Sequence, residues 1–299
     1  MSIVRTIARG LMRPLRWVWS HKRRTARYGG ASIVAAYSCV FLLVSCASSP
    51  TDQSTALNSG DRIAYLTSNE DTGLPGKVVL VHGAPADATS WNKLITNHRG
   101  PLPREAVAID RLGYGNSTSG RNTSLAQQAA SLEPFLAPVH GRRPILVGHS
   151  YGGPVVLRAA VDYPDRVGGI VLVAGACDAY MNDSQWFRRS VDFIGIVVPE
   201  PWEVANAELL ALTDENRAME SMLGRVVCPV VILHGTWDGV CPHDATIAYL
   251  QSRLANAAEV RVVSLPRTGH NIHLSHPELI AEEVHRLAER EARGEGEVD

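Results

Sequence analysis

Short apolar runs alternate with helix-length segments along most of the chain, and this alternation constrains the fold more than any other feature. The runs are rich in β-branched residues and apolar at consecutive positions, so both faces of each strand are expected to be buried. Strands of this kind, joined by helical crossovers, form an α/β fold with a parallel sheet covered by helices on both faces. A chain of 299 residues with 45% hydrophobic and 20% charged residues is long enough for one large domain or two small ones. The predicted strands lie at 77–83, 104–110, 144–150, 168–175, 229–235 and 259–265, and the predicted helices at 88–98, 123–137, 151–162, 244–255 and 276–293.

Charge is divided unevenly between the N-terminus and the rest of the chain. Residues 1–50 hold eight Lys or Arg and no acid, which leaves 21 basic and 30 acidic residues, a net charge of −9, in the remainder. A domain with a net negative charge gives no reason to expect a nucleic-acid partner.

The basic N-terminal region is followed by an apolar run from Ala31 to Ser45. This run is shorter than the roughly 20 residues that span a bilayer, and a basic region followed by an apolar one is typical of a secretion signal. The run ends in LVSC, Leu43 to Cys46, which resembles the lipobox of bacterial lipoproteins. The resemblance implies cleavage before Cys46 and a lipid on its sulfur. Because Ala47 and not an aspartate follows, it also implies transport to the outer membrane.

The N-terminal part of the chain is therefore predicted to be an export and anchoring region. Residues 1–45 form the signal peptide, and residues 46–61, rich in Ser, Thr, Asp and Asn, form a tether. The predicted location is the bacterial cell envelope, with the protein held at the membrane by its lipid. A signal-anchor left in the inner membrane and a secreted protein are the alternatives.

Glycines surround a serine at the corner between a predicted strand and a predicted helix, in the sequence Gly148-His149-Ser150-Tyr151-Gly152. Ligands of an open parallel sheet sit beyond the carboxyl ends of its strands, so this corner faces a binding site. A sharp turn that presents the serine hydroxyl needs neighbours with almost no side chain, because strand and helix pass close together. The pattern is the G-x-S-x-G nucleophile elbow.

Further segments resemble the loops that form the active site in one known family. VHGAPADATSW and DRLGYGNS follow predicted strands in the first half of the domain, and HGTWDGVCP and TGHNIHLSHPE follow the last two. With the elbow they resemble the α/β-hydrolase fold over about residues 60–293. The resemblance implies a hydrolase domain at 62–293 with a short helical cap at about 178–223, followed by a charged tail at 294–299.

The same resemblance implies roles for particular residues. Ser150 is the nucleophile, His270 the base and Asp238 the acid that orients it. The backbone N–H groups of Ala84 and Tyr151 form the oxyanion hole.

Other residues compete for some of these roles. Asp178, after another predicted strand, is the alternative acid. Of the other site-loop residues, His82 and His149 are expected to pack, His276 to begin a helix, and Asp110 to tie down its own glycine-rich loop. No metal or cofactor site is predicted, because the sequence has neither metal-ligand spacing nor a nucleotide fingerprint. Among Cys177, Cys228 and Cys241, a disulfide between Cys177 and Cys241 is compatible with their positions after strand ends.

The cap is rich in aromatic and thioether side chains, of which two or three are expected to line an apolar pocket. The predicted function is that of a serine hydrolase acting on a small-molecule carboxylic ester without a cofactor. Peptidase or amidase activity, thioester cleavage and acyl transfer are alternatives on the same fold, and a non-catalytic envelope binding protein is an alternative of another class. The sequence does not define the physiological substrate or the oligomeric state.

Overall fold

The computed structural model describes residues 53–67, 76–95, 102, 105–118, 120–179 and 200–294. An eight-stranded sheet runs through this part of the chain in the order β1-β2-β4-β3-β5-β6-β7-β8. From β3 to β8 all neighbouring strands are parallel, whereas β1 and β2 are antiparallel to their neighbours. The strands are β1 Gln53–Ala56, β2 Arg62–Thr67, β3 Lys77–Val81, β4 Glu105–Ile109, β5 Ile145–His149, β6 Gly169–Val173, β7 Val230–Gly235 and β8 Val260–Leu265. The six parallel strands are the six predicted from the sequence, so the predicted fold class is confirmed.

Helices cover both faces of this sheet because its central strands are apolar on both. In β3, Val79 and Val81 belong to one hydrophobic cluster, and Val78 and Leu80 belong to the other. The first cluster packs against α2, α3, α4 and α5, and the second against α1, α6 and α7. The helices are α1 Asn92–Ile95, α2 Leu125–Ala130, α3 Gly152–Asp162, α4 Glu200–Glu220, α5 His243–Arg253, α6 Ile272–Ser275 and α7 Pro277–Ala292. Short 3₁₀ turns lie at Ala88–Trp91, Glu133–Phe135, Pro164–Arg166 and Leu223–Arg225.

One part of the predicted tether, residues 46–61, is instead a strand. Gln53–Ala56 forms β1 and pairs with β2 in the register Gln53↔Tyr65 to Ala56↔Arg62. The prediction was wrong here because an edge strand is held by backbone hydrogen bonds and needs no apolar side chains, and those of β1 are mostly exposed. The rest of this segment up to residue 52 lies outside the described residues.

The long helix α4 lies over the carboxyl edge of the sheet, within the span predicted as a cap at 178–223. Its Asn216 Nδ2 donates hydrogen bonds to the carbonyl oxygens of Ala176 and Asp178, just beyond β6, at 3.0 and 3.3 Å. Its Glu215 accepts a 2.8 Å hydrogen bond from the first amide of α2, at Leu125. Residues 180–199 of the predicted cap are outside the described part of the chain.

Within the residues that the structure describes, no helix has both the length and the apolar character needed to cross a bilayer. The predicted signal peptide at 1–45, the predicted lipid attachment at Cys46 and the tail from residue 295 onward lie outside them.

Candidate active site

The turn between β5 and α3 presents Ser150 at the carboxyl edge of the sheet. Ser150 adopts a left-handed backbone conformation with φ of 50°, which is uncommon for a residue with a side chain. A Cβ atom on Gly148 would overlap the carbonyl oxygen of Gly152, and one on Gly152 would overlap the carbonyl oxygen of Val81. The glycines are therefore required by the close approach of strand and helix, as the sequence predicted.

The structure brings together the three side chains predicted as nucleophile, base and acid. Ser150 follows β5, Asp238 follows β7 and His270 follows β8, and all three loops lie at the same edge of the sheet. Ser150 Oγ lies 2.9 Å from His270 Nε2. His270 Nδ1 lies 2.8 Å from Asp238 Oδ2. A hydroxyl, an imidazole and a carboxylate are thus joined by two hydrogen bonds in a row.

Asp238 is held so that one carboxylate oxygen remains for the imidazole. Its Oδ1 accepts hydrogen bonds from the amides of Val240 and Cys241, both at 2.9 Å. Burial by itself would raise the pKa of Asp238, but hydrogen bonds from His234 and His270 outweigh it and lower that pKa below its ordinary value. The side chain is fully buried and ionised, which suits a group that orients a histidine.

The alternative acid, Asp178, lies after β6 and is buried. Its carbonyl oxygen accepts a hydrogen bond from Asn216 of α4. Because Nδ1 of His270 is already paired with Asp238, the geometry favours Asp238 for the orienting role.

The loop after β3 packs directly against the nucleophile and carries the predicted oxyanion donor Ala84. A Cβ atom on Gly83 would lie 2.9 Å from the Cβ of Ser150, so no larger residue fits there. The second predicted donor, the amide of Tyr151, directly follows Ser150 in the chain. In the part of the chain that the structure describes, neither amide donates a hydrogen bond to another residue. No residue of the described part therefore competes with a ligand for either N–H group.

Further histidines near the site are buried, among them His82, His149 and His273. His82 Nδ1 bonds the carbonyl oxygen of Gly83 at 2.7 Å, and its Nε2 accepts from the amide of Arg111 at 3.0 Å. His149 Nε2 bonds the carbonyl oxygen of His270 at 3.2 Å, and its ring contacts that of His273 at a tilt of 40°, with centroids 3.8 Å apart. Burial lowers the pKa of His82 and of His149 well below the ordinary imidazole value. They pack around the site as neutral rings, as the sequence predicted for His82 and His149.

Two further predictions for residues near the site agree with the structure. Asp110 accepts the amides of Ala88 and Asn116, both at 2.8 Å, so it ties down the loops after β4 and β3. His276 is the N-cap residue of α7, directly before Pro277.

The sequence left open a disulfide between Cys177 and Cys241, and the structure does not contain it. Cys177, Cys228 and Cys241 are free, buried thiols. Burial raises the pKa of Cys241 well above its ordinary value and that of Cys177 also, so both remain protonated and unreactive. Cys241 lies with Asp238 and His270 in a group whose potential ligand atoms are within 4.8 Å of one another. A protonated thiol is a poor metal ligand, and the carboxylate and imidazole are already paired with each other, so this group fits a metal poorly.

Two buried residues beside the site were not singled out from the sequence. Arg111, in the DRLGYGNS segment, and Glu208, in α4, form an ion pair with neither side chain exposed. The partners are 97 residues apart, and nothing in either local sequence signals the contact.

Comparison with known proteins identifies the class of protein that this fold and site define. Residues 78–283 match the model of the Alpha/beta hydrolase family, and the chain belongs to that family.

Individual relatives show how this chain compares within the family. A monoacylglycerol lipase of Mycolicibacterium smegmatis is 30% identical over 230 residues, which cover 65% of this chain and 81% of the lipase. A putative 2-succinyl-6-hydroxy-2,4-cyclohexadiene-1-carboxylate synthase of Bacillus subtilis is 23% identical over 75% of this chain and 94% of its own length. Other relatives match over shorter stretches, such as 99 residues, or 37%, of Lipase LipV of Mycobacterium tuberculosis.

Solved structures share the fold. A thermophilic esterase from Thermogutta terrifontis superposes with a TM-score of 0.63 at 19% identity, over 80% of this chain and 99% of the esterase. A membrane phospholipase A described as a bacterial virulence factor has a TM-score of 0.59 at 20% identity, over 95% of this chain and 99% of its own.

Proposed function

We propose that this protein is a serine hydrolase that cleaves a carboxylic ester through an acyl-enzyme on Ser150. The observation that carries the proposal is the pair of hydrogen bonds that links Asp238, His270 and Ser150 at 2.8 and 2.9 Å. A serine hydroxyl is a weak nucleophile near neutral pH, and an imidazole in contact with it supplies the missing base.

In the first half of the reaction, Ser150 Oγ attacks the ester carbonyl carbon while its proton passes to His270 Nε2. Asp238 stabilises the imidazolium that forms. The carbonyl oxygen becomes negatively charged and accepts hydrogen bonds from the amides of Ala84 and Tyr151, an interaction typically worth about 10²–10³ in rate for each donor. The bond to the alcohol then breaks, and His270 returns the proton to the leaving oxygen.

In the second half, water replaces the alcohol. His270 takes a proton from the water as it attacks the acyl-Ser150 ester, and the proton then passes to Ser150 Oγ as the carboxylic acid leaves. Both halves balance without any cofactor.

The names of the relatives favour esters over other acyl substrates. They include a monoacylglycerol lipase and several esterases, although each name describes that protein alone. Cleavage of a peptide, amide or thioester and transfer of the acyl group to an acceptor other than water use the same residues.

The test is covalent labelling by a fluorophosphonate probe, combined with hydrolysis of p-nitrophenyl esters. We expect the wild-type protein to be labelled and Ser150→Ala to lose both labelling and turnover. Ser131→Ala is the control, because Ser131 is a buried serine whose hydroxyl bonds the carbonyl oxygen of Gln128, whereas Ser150 is partly exposed. A folded wild-type protein that is not labelled would instead support the non-catalytic binding protein. Parallel assays with aminoacyl anilides and thioesters separate the alternatives within the fold.

We further propose that the protein is exported and held at the bacterial envelope by a lipid on Cys46, in the outer membrane. The support is the LVSC sequence at the end of the apolar run. Metabolic labelling with a palmitate analogue should mark the wild-type protein and not Cys46→Ala. Membrane association without any label in the wild-type protein would favour the uncleaved signal-anchor.

A further inference from the structure

A buried ion pair joins the loop after β4 to the middle of α4. Arg111 Nη1 and Nη2 donate to the two carboxylate oxygens of Glu208 at 2.5 and 3.0 Å. The same carboxylate accepts hydrogen bonds from Tyr114 at 2.6 Å and from Gln128 at 3.3 Å. Burial opposes the charge on Arg111, but the carboxylate outweighs it and raises the pKa of the guanidinium further. Burial also raises the pKa of Glu208, and the hydrogen bonds from Arg111 and Tyr114 oppose that rise. Neither side chain is exposed to water.

The remaining contacts of Arg111 lead to the nucleophile side of the site. Its Nε donates a 3.0 Å hydrogen bond to the carbonyl oxygen of His82. Its guanidinium carbon lies 4.5 Å from the ring centroid of Tyr151 and 4.5 Å from that of Tyr114. The group thus contacts two aromatic rings, an arrangement that suits arginine better than lysine.

These contacts connect Arg111 to both segments that carry the candidate oxyanion donors. The carbonyl of His82 lies one residue before Gly83, and Ala84 follows directly. Tyr151 contributes its ring to Arg111 and its own backbone amide to the site. The separation of two N–H donors decides how well they bind an oxyanion, and an error of about 1 Å can cost about 100-fold in rate.

We propose that Arg111 is a positioning residue that fixes the amides of Ala84 and Tyr151 relative to each other, and that Glu208 couples this arrangement to α4. The inference rests on the proposed serine hydrolase function. Because the two amides act on charge that develops in the transition state, loss of Arg111 should lower kcat much more than it raises KM.

A purely structural role does not require this set of contacts. A buried ion pair contributes little net stability, and its replacement by uncharged groups of similar size is often neutral or stabilising. Removing only one partner would leave the other charge buried and uncompensated, so single substitutions test folding and positioning together.

The decisive variant therefore removes both charges, as Arg111→Met combined with Glu208→Gln. We expect it to fold and to retain KM for a p-nitrophenyl ester within a few-fold, while kcat falls about 10- to 100-fold. The matched control is Arg166→Met combined with Glu133→Gln. Arg166 likewise pairs with a glutamate, at 3.2 Å, and lies over the ring of Tyr163, but it follows the far end of α3. The control should leave kcat unchanged.

An alkyl boronic acid provides a second measurement, because its adduct with Ser150 is tetrahedral and places an oxygen in the oxyanion hole. Its inhibition constant should weaken in the paired variant by about the same factor as kcat/KM. A folded paired variant that keeps both kcat and boronate affinity would overturn the proposal. If that variant does not fold, Arg111→Lys decides the question. The lysine keeps the positive charge opposite Glu208 but loses the paired N–H donors of the guanidinium and its contacts with the two tyrosine rings. An unchanged kcat in this variant would therefore also overturn the proposal.

Failure of this inference can be told from failure of the proposed function. Labelling of wild-type Ser150 by fluorophosphonate tests the nucleophile without reference to Arg111. An enzyme that is labelled and active, with a fully active paired variant, refutes only the positioning role.

Discussion

The two oxygens of Asp238 have different partners, and this division sets the orientation of His270. Oδ1 is held by two amides of its own loop, and Oδ2 faces the imidazole. Oδ2 also lies 3.4 Å from Nε2 of the fully buried His234. The carboxylate therefore has little freedom to rotate, and the imidazole that it contacts keeps its Nε2 directed at Ser150.

Replacement of Asp238 by asparagine tests this arrangement with almost no change in shape. An amide nitrogen at the position of Oδ2 would favour the wrong tautomer of His270, so Asp238→Asn should lower kcat by about 10³–10⁴ while the protein remains folded. Ester hydrolysis and circular dichroism measure the two effects. Asp178→Asn is the control and should remain close to wild type. The opposite pattern between the two variants would transfer the orienting role to Asp178.

At the scale of elements, the corner between β5 and α3 is fixed by backbone contacts and not by side chains. Its glycines lie where β5, α3 and the end of β3 pass so close together that a Cβ atom on either Gly148 or Gly152 would overlap a backbone carbonyl oxygen. The amide of Ser150 donates to the carbonyl oxygen of Val173 in β6 at 3.0 Å, which ties the corner to the next strand. The position of the nucleophile is therefore a property of three strands and one helix.

A methyl group added at this corner should destabilise the folded protein. Gly148→Ala places its Cβ against the carbonyl oxygen of Gly152, and the resulting shift should destabilise the protein by about 1–3 kcal/mol and reduce turnover. Urea unfolding monitors the first effect and ester hydrolysis the second. Gly120→Ala is the matched control, since a Cβ there meets nothing within 4 Å. Equal stability of the two variants would mean that the corner can relax around a side chain.

At the scale of the whole molecule, the sheet edge that carries the site also buries neutral histidines. His82, His149 and His273 have at most 5% of their surface exposed. For His273, burial and the nearby His270 lower the pKa to about 3. In the unfolded chain the same imidazole has its ordinary pKa of about 6.5. Below that pH the unfolded state binds protons that the folded state does not, so these groups reduce stability as the pH falls.

This linkage can be isolated for His273. Neither of its ring nitrogens has a hydrogen-bond partner in the described part of the chain, so His273→Phe removes a titrating group without breaking a hydrogen bond. Between about pH 6 and pH 4, the fall in the free energy of unfolding should be shallower in this variant by about 1 kcal/mol per pH unit. Urea unfolding across that range measures the slope. Equal slopes in the wild-type protein and His273→Phe would refute the assignment.

Local sequence was sufficient for those features whose physical cause is local. The six parallel strands follow from consecutive apolar residues, and the elbow follows from glycines packed around Ser150. The carboxyl ends of parallel strands share one edge, so the meeting of Ser150, Asp238 and His270 was also expected once the loops were recognised. Each of these inferences needs only residues that are close in the chain or the general geometry of a parallel sheet.

Tertiary structure alone decided the features whose partners are distant and whose local sequences are ordinary. The side chains of strand β1 are mostly polar and mostly exposed, and backbone hydrogen bonds to β2 hold the strand in the sheet. Cys177 and Cys241 follow strand ends as expected, but each is buried as a free thiol. Arg111 and Glu208 are 97 residues apart in the sequence, and they form an ion pair because the fold places α4 over the loop after β4. A charge is buried only where a partner is already fixed in space, and that condition is set by the packed molecule and not by any short stretch of its sequence.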